Sequence, residues 1–410
     1  MHIYYIIHYF PPELNGGATR ASELARHWVE AGHQVTILTG FPNHPNGVIP
    51  HTYKGKFFHQ EMVDGYRVRR TYIYATPNKG SAKRIINHTS LTLSTIIGSM
   101  IKSPPDVIIA SSPPLFLGIS GYILSKLKRV PYLFEVRDIW PQQAIDLGML
   151  RNQKVIRLME GLEFFLYRHA SRVVGVTDST DRILQERGLE AKKIVTIFNG
   201  TDLDTFQPGP PDESLKTKLG LQDKFVISYI GTMGLSQGLI SVIDAATQLK
   251  DRYPELHFLL VGAGAERDLL IKASQDKGLD NVTFLEAQPR SQVPLLYNLS
   301  DVSLVVLKNL PLFHSTIPSK IFEIMACGTP LILGVAGEVQ KIVEQADAGL
   351  CIEPENVSEL SEAIIRLYEK PALRDSLSNN GRTYVDKHYN RKRLAEQYLT
   401  VLQDVVAETG

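Results

Sequence analysis

The sequence predicts an α/β protein made of two Rossmann-like, doubly wound parallel-sheet domains facing a central cleft, and three observations carry that expectation. Short apolar strands alternate with helical stretches of about 10–15 residues through both halves of the chain. The alternation breaks once, at NGTDLDTFQPGPPDE (199–213), where Asn-Gly, Pro-Gly and Pro-Pro are linker chemistry. Finally, 410 residues exceed what one typical core accommodates.

The first half opens with a strand at HIYYIIHY (2–9) and a helix over 17–32 that ends at Gly32. A strand at QVTILTG (34–40), a loop rich in Pro, Asn and His (41–51) and a strand at YRVRRTYIY (66–74) follow. A long helix around 81–102 leads to the strand DVIIASSPP (106–114), a helix over 116–128 and the strand PYLFEVRD (131–138). A helix over 151–169, the strand RVVGVT (172–177), a short helix and KIVTIFNG (193–200) close the half. The second half restarts with six strands, at 225–231, 257–264, 282–286, 301–307, 330–335 and 349–354, each leading into a helix. The domains are therefore expected at 1–198 and 199–386. The remainder, 387–410, holds one more amphipathic helix (391–406) with no strand, placed as crossing back to the first domain. Ligands of open α/β sheets bind at the carboxyl ends of the strands, so the crevice between the two sets is where a ligand is expected.

Composition narrows the class. With 43% hydrophobic and 21% charged residues the chain reads as soluble and globular. Its two cysteines, Cys327 and Cys351, cannot make a disulfide framework and read as buried thiols in a reducing compartment. The start MHIYYIIHYFPPE lacks the basic segment and cleavage site of a signal peptide, and no apolar run reaches roughly 18 residues, so a cytosolic protein is expected. The net charge of +1 hides an asymmetry: residues 1–200 hold 24 Lys/Arg against 15 Asp/Glu, the rest 20 against 28. An anionic partner of the basic half and a merely solvated basic face both fit. Residues 79–102 sharpen the first of these. Lys79, Lys83, Arg84 and Lys102 surround an apolar helix too short to span a bilayer but able to lie in its surface, or else to pack on the sheet with its cations solvated. The partner expected there is a cytosolic membrane surface rather than nucleic acid.

The motifs fall at the carboxyl ends of predicted strands. FPPELNGGATR (10–20) places Gly16 and Gly17 where backbone can approach an anion at a helix start. GTMGLSQG (231–238), with Gly231, Thr232 and Gln237, and VGAGAE (261–266), with Gly262 and Gly264, repeat the device. Neither has the full dinucleotide spacing, so a nicotinamide site is disfavoured. In IPSKIFEIMACGTP (317–330) a helix beginning near Pro318 and Ser319 carries Lys320 in its first turn and Glu323 three residues on, beside Ser315 and Thr316 of the preceding loop. Amides and an ammonium for phosphates, with a carboxylate for ribose hydroxyls, suit a nucleoside diphosphate; a helix start with a surface Lys–Glu pair fits equally. VRDIWPQQ (136–143) offers Arg137 and Asp138 as groups for a phosphate or a sugar hydroxyl, or as a mutual ion pair stabilising a loop. His8 reads as a packed core histidine, and no ligand spacing points to a metal.

Taken together and in order, FPPELNGGATRASELARHWVEAGHQVTILTG, EVRDIWPQ, NGTDLDTFQP, YIGTMGLSQGL, LLVGAGAER, IPSKIFEIMACGTPLILG and GEVQKIVEQADAGLCIEPENVSELSEAI resemble the retaining GT-B glycosyltransferases of family 4 along essentially the whole chain. RDIWPQ, GLSQG and PSKIFE resemble a bacterial branch that assembles O-antigen and capsule polysaccharides and includes N-acetyl-L-fucosamine transferases. The resemblance implies the GT-B fold, a nucleotide-sugar donor, UDP-linked, on the C-terminal domain and a polyprenyl-diphosphate-linked saccharide acceptor on the N-terminal domain. It implies transfer with retention, no cofactor and no obligatory metal. Glu323 matches the second glutamate of the E-x7-E motif, expected on the ribose, and Gly16 and Gly17 match the loop near the donor phosphates. The first glutamate falls on Ser315, and the Arg and Lys usual after the first strand of the second domain fall on Thr232 and Gln237. Catalytic charge is then expected from Lys320, the helix amides and Arg137, with Asp138 at the reacting sugar and Gln288 near the base. The departures leave two rivals: a non-catalytic nucleotide-sugar-binding subunit, and a nucleotide-sugar epimerase on the same fold.

Overall fold

The computed structural model describes residues 1–13, 15–44, 46–76, 81–100, 104–146 and 150–409. It divides into two compact units, Met1–Asn199 with Arg391–Gly410, and Gly200–Asn390.

The first unit runs β1 (His2–Ile6), α1 (Gly16–Glu30), β2 (Gln34–Gly40), β3 (Phe58–Val63), β4 (Tyr66–Thr71), α2 (Ser81–Gly98), β5 (Val107–Ser112) and α3 (Leu117–Lys128). It continues through β6 (Tyr132–Val136), α4 (Gln142–Asp146), α5 (Gln153–His169), β7 (Arg172–Gly175), α6 (Asp178–Glu186) and β8 (Ile194–Thr196). The strands form one sheet in the order β3-β4-β2-β1-β5-β6-β7-β8. Every neighbouring pair is parallel except β3 with β4.

That antiparallel edge strand lies between the expected loop at 41–51 and the strand expected from residue 66, a stretch for which no element is expected. The hairpin turns at Asp64-Gly65, where both residues have positive φ, 45° and 83°. Such a turn needs two left-handed residues, and Asp-Gly is its favoured pair. The signal was therefore in the sequence, inside EMVDGYRV.

Alternate residues of the buried strand β1 feed two cores. Ile3, Tyr5 and Ile7 pack with α1 on one face, and Tyr4 and Ile6 face the side carrying Leu91 of α2, Leu124 of α3 and Leu166 of α5. Asn15 caps α1, its Oδ1 accepting from Ala18 N at 2.9 Å.

The second unit runs α7 (Glu213–Leu219), β9 (Phe225–Ile230), α8 (Ile240–Leu249), β10 (Leu256–Val261), α9 (Arg267–Asp276), β11 (Val282–Leu285), α10 (Val293–Asn298) and β12 (Val302–Val306). Then come α11 (Lys320–Ala326), β13 (Leu331–Gly334), α12 (Glu338–Ala346), β14 (Gly349–Cys351), α13 (Val357–Glu369) and α14 (Pro371–His388). Its sheet is wholly parallel, ordered β11-β10-β9-β12-β13-β14. The chain winds outward from β9 in one direction and from β12 in the other, which is the dinucleotide-fold order with its switch point between those two strands. In the first unit the switch lies between β1 and β5.

The last helix, α15 (Arg391–Ala407), belongs to the first unit. It covers α1: Trp28 Nε1 donates to Ala395 O at 3.0 Å, the Trp28 and Tyr398 rings meet edge to face, and Arg391 pairs with Glu23 at 2.8 Å. Among the described residues no helix is long and apolar enough to cross a membrane.

Candidate functional site

The topological switch points select the loops after β9 and β12 in the second unit, and those after β1, β5 and β6 in the first. Most of the candidate residues lie in these loops, while Gly262 and Gly264 follow β10 and Gln288 follows β11.

In the second unit β9 runs straight into Gly231, whose φ of 148° favours glycine. A side chain at 231 would collide with the ammonium of Lys320, the first residue of α11. That Nζ sits 4.0 Å from the centre of the Tyr229 ring, a cation–π contact. Tyr229 is buried and its hydroxyl donates to Thr232 O at 2.6 Å, which holds the ring in place. Among the described residues, Lys320 has no carboxylate within ion-pair distance and no hydrogen bond. Burial pushes it down to about 8, and the Glu323 carboxylate only partly offsets that. A half-buried ammonium with an aromatic floor and no counter-ion is an anion receptor in waiting.

Lys320 and Glu323 do not pair with each other. Glu323 Oε1 instead accepts from Arg290 Nη1 at 2.7 Å, and the Arg290 guanidinium lies 4.8 Å over the Phe206 ring. Neither Arg290 nor Tyr229 was singled out from the sequence. Arg290 is a lone arginine in PRSQ, and Tyr229 reads as an ordinary core residue of a strand, so no local pattern marks either.

The glycines Gly262 and Gly264 have φ of 150° and 159°, and a side chain there would strike the carbonyls of Gly231 and Met233. What they accommodate is protein backbone. The loop after β10 lies on the loop after β9, joined by Gly231 N to Val261 O and Met233 N to Ala263 O, each 2.9 Å. Gln237 also serves its own loop: its Oε1 accepts from Gly234 N at 3.0 Å and Ser236 Oγ at 3.2 Å. Gln288 Nε2 donates to Glu286 O at 3.0 Å. Ser315 and Thr316 are exposed at the end of the 3-10 turn Pro311–Ser315. Ser319 precedes α11 in helical conformation and offers no side-chain cap, and the helix itself starts at Lys320, slightly later than expected.

In the first unit Gly16 and Gly17 begin α1. Gly17 is buried because the guanidinium of Arg137 occupies the space a side chain would need. Arg137, just past β6, donates from Nε to Ser111 Oγ at 3.1 Å and from Nη2 to Pro113 O at 3.4 Å. Asp138 follows it, half-buried.

Behind Arg137 lies a network that the sequence reading missed. Ser111 Oγ and Tyr5 OH donate to Glu135 Oε1 at 2.9 and 2.7 Å, and Arg20 Nε donates to Glu135 Oε2 at 3.0 Å. Arg20 also donates to the carbonyls of Phe198 and Ile197. Burial pushes the Glu135 carboxyl up, but Arg20 and then Arg137 outweigh it and hold it below the usual range. His8 is packed as expected. It is buried against Asn87, stacked on Tyr9, and kept neutral by burial and by neighbouring His88. Among the described residues no group of three or more His, Cys, Asp or Glu could hold a metal. Cys327 is buried as expected and Cys351, at the end of an edge strand, is half-buried; burial pushes both thiols up to about 12, which keeps them protonated at neutral pH.

Two parallel-sheet units, each with its glycine loops at the switch point, are the architecture of GT-B glycosyltransferases, and solved structures of that fold match the chain throughout. Sucrose-phosphate synthase from Thermosynechococcus elongatus aligns with a TM-score of 0.77 at 20% identity, covering 99% of both chains. Anabaena HepE in complex with UDP-glucose aligns at 0.73 and 18% identity, covering 98% of this chain and 100% of the other. The family described as "Glycosyl transferases group 1" matches residues 211–384, and the "Glycosyl transferase 4-like domain" matches 15–200. The chain belongs to this GT-B, group 1 and 4-like glycosyltransferase family. Among curated proteins it is 26% identical to WcaI of Escherichia coli (strain K12), named as a colanic acid biosynthesis glycosyl transferase, over 95% of this chain and 97% of that one.

Proposed function

We propose that this glycosyltransferase moves a sugar, with retention at the anomeric carbon, from a UDP-linked donor to a polyprenyl-diphosphate-linked saccharide in surface-polysaccharide synthesis. The observation that carries the donor half is Lys320, a half-buried ammonium on the Tyr229 ring with no carboxylate in ion-pair distance among the described residues, at a sheet's switch point. A leaving diphosphate supplies the missing counter-charge, and that charge stabilisation is the main catalytic task of such a transfer. No resident metal is needed in this reading. The relative named for colanic acid synthesis and the neighbour solved with UDP-glucose support the substrate classes. N-acetyl-L-fucosamine is the first sugar to test. Thermal unfolding with UDP, GDP, ADP and TDP in the presence of chelator tests the donor: one diphosphate should raise the unfolding temperature without metal. No response to any of them removes the donor assignment. Product anomeric configuration by NMR tests retention.

In this reading Glu323 binds the ribose through its carboxylate while Arg290 orients it. Glu323→Ala is expected to weaken UDP binding by about 1.5–3 kcal/mol, as for a lost hydrogen bond to a charged group. Glu323→Gln should lose less. Equal UDP affinity in a folded alanine variant would remove the ribose role.

Asp138 is assigned to the reacting sugar or its acceptor. Asp138→Asn should lower turnover far more than UDP affinity. If only the unfolding temperature drops and turnover per folded molecule is intact, Asp138 is structural.

One observation favours a second reading. Gln237 is committed to its own loop and Ser315 is an exposed hydroxyl, so neither replaces the charge the family usually carries there. A nucleotide-sugar-binding subunit would hold UDP yet release no diphosphate from any donor. Release of UDP in the presence of acceptor separates the two readings, and sugar interconversion without acceptor would indicate an epimerase.

A further inference from the structure

Helix α2 is amphipathic in the reverse sense. The side turned toward the protein carries Asn87, Leu91, Thr92, Ser94 and Thr95, all buried. Their polar groups are satisfied there: Ser94 Oγ donates to Tyr72 O, Asn87 Nδ2 to Tyr74 O, and Ser120 Oγ to the carbonyl of Thr92. The solvent side carries Ile85, Ile86, Leu93 and Ile97, each more than half exposed. A helix facing water is expected to do the opposite.

The neighbouring helices continue the pattern. α3 packs against both α2 and α5, and all three lie on one face of the sheet. Leu127 of α3 is 57% exposed and Leu158 of α5 is 72% exposed. The same three helices carry exposed cations: Lys83 on α2, Lys126 and Arg129 at the end of α3, and Lys154, Arg157 and Arg168 on α5. Among the described side chains of these three helices no exposed carboxylate balances them. α2 and α3 contain no Asp or Glu, Glu160 of α5 is half-buried, and Glu163 is buried with Arg187 as partner. Acidic residues follow on α6, with Asp178, Asp181 and Glu186. Lys79 and Lys102, expected to flank α2, lie outside the described residues.

We infer that the outer surface of α2, α3 and α5 is a docking face for an anionic lipid bilayer. Large aliphatic side chains together with cations, with no exposed carboxylate among the described side chains, match an acyl boundary beneath anionic headgroups. A nucleic acid would reward the cations but not the leucines and isoleucines. The inference extends the lipid-linked acceptor proposed above, yet it stands on exposure and charge alone, so either can fail without the other.

The test is sedimentation of the full chain with phosphatidylcholine vesicles and with vesicles in which about a third of the lipid is phosphatidylglycerol. Binding to the anionic vesicles should exceed binding to the neutral ones by about tenfold at low salt, and should fall as salt screens the attraction. Leu93→Glu and Leu158→Glu should each abolish most of it while leaving the unfolding temperature and any UDP affinity unchanged. Equal binding to both vesicle types, or full binding by the folded glutamate variants, overturns the inference. So does a dimer in light scattering that the same variants dissociate, which would make a second copy the occupant.

Discussion

Glu135→Ala is expected to cost the first unit about 3–5 kcal/mol, because it leaves the Arg20 guanidinium buried without its counter-charge. Both side chains are fully buried, and the pair ties β6 to α1. Arg20 retains its bonds to the Phe198 and Ile197 carbonyls, so the segment after β8 stays attached but charged and uncompensated. Both tryptophans of the chain, Trp28 and Trp140, lie in the first unit, so urea unfolding followed by tryptophan fluorescence isolates the effect. An unchanged midpoint would mean the pair contributes nothing. The sign with pH is also set. Glu135 is held below its unfolded range, so its contribution is present above the ordinary carboxylate pKa and is lost as pH falls through the lower folded value. Ser111, which joins Glu135 to Arg137, makes the same network the frame on which Arg137 is held.

Lys320→Met is expected to act in opposite directions on stability and on binding. The ammonium is held down at about 8 against an ordinary 10.5, so the folded chain binds it less tightly to its proton than the unfolded chain does. The unfolded state therefore carries more protons between about pH 8 and 10.5, and stability rises with pH across that window. At neutral pH, removing the charge should stabilise the second unit by about 1–3 kcal/mol, after allowing for the solvent the side chain still meets. UDP affinity should fall by about a hundredfold, the loss of charge-assisted contacts to the diphosphate. In the unaltered chain UDP affinity should weaken by about tenfold per unit as pH climbs well past 8, and the methionine variant should show no such slope. Calorimetric titration with UDP at pH 7 and 9.5, beside thermal unfolding by circular dichroism, reads both effects. A variant that is less stable, with UDP binding intact, would make Lys320 a structural cation.

Much of this architecture was legible because parallel strands buried on both faces are written as continuous apolar runs such as FVISYI and HFLLV. Those runs, with the helices between them, predict each parallel strand to within a few residues. The β3–β4 hairpin is marked in the sequence only by Asp64-Gly65, because its outer strand, an edge strand, alternates half-buried and exposed residues instead of forming a continuous apolar run. The glycine loops were also visible, but their use was not. Gly17 makes room for Arg137, while Gly262 and Gly264 make room for backbone, and only the neighbours distinguish these cases.

The sequence by itself determined the strand–helix alternation and the adjacency of Lys320 and Glu323 on one helix turn, because each depends on residues close together in the chain. Tertiary structure decided the partners. Lys320 settles on Tyr229 and Glu323 on Arg290, residues 91 and 33 positions away, and Glu135 meets an arginine 115 positions earlier. It also decided which side of α2 faces out. A helical pattern shows two unlike faces, but the hydroxyl face turned inward because the carbonyls of Tyr72 and Tyr74 waited there to accept its hydrogen bonds.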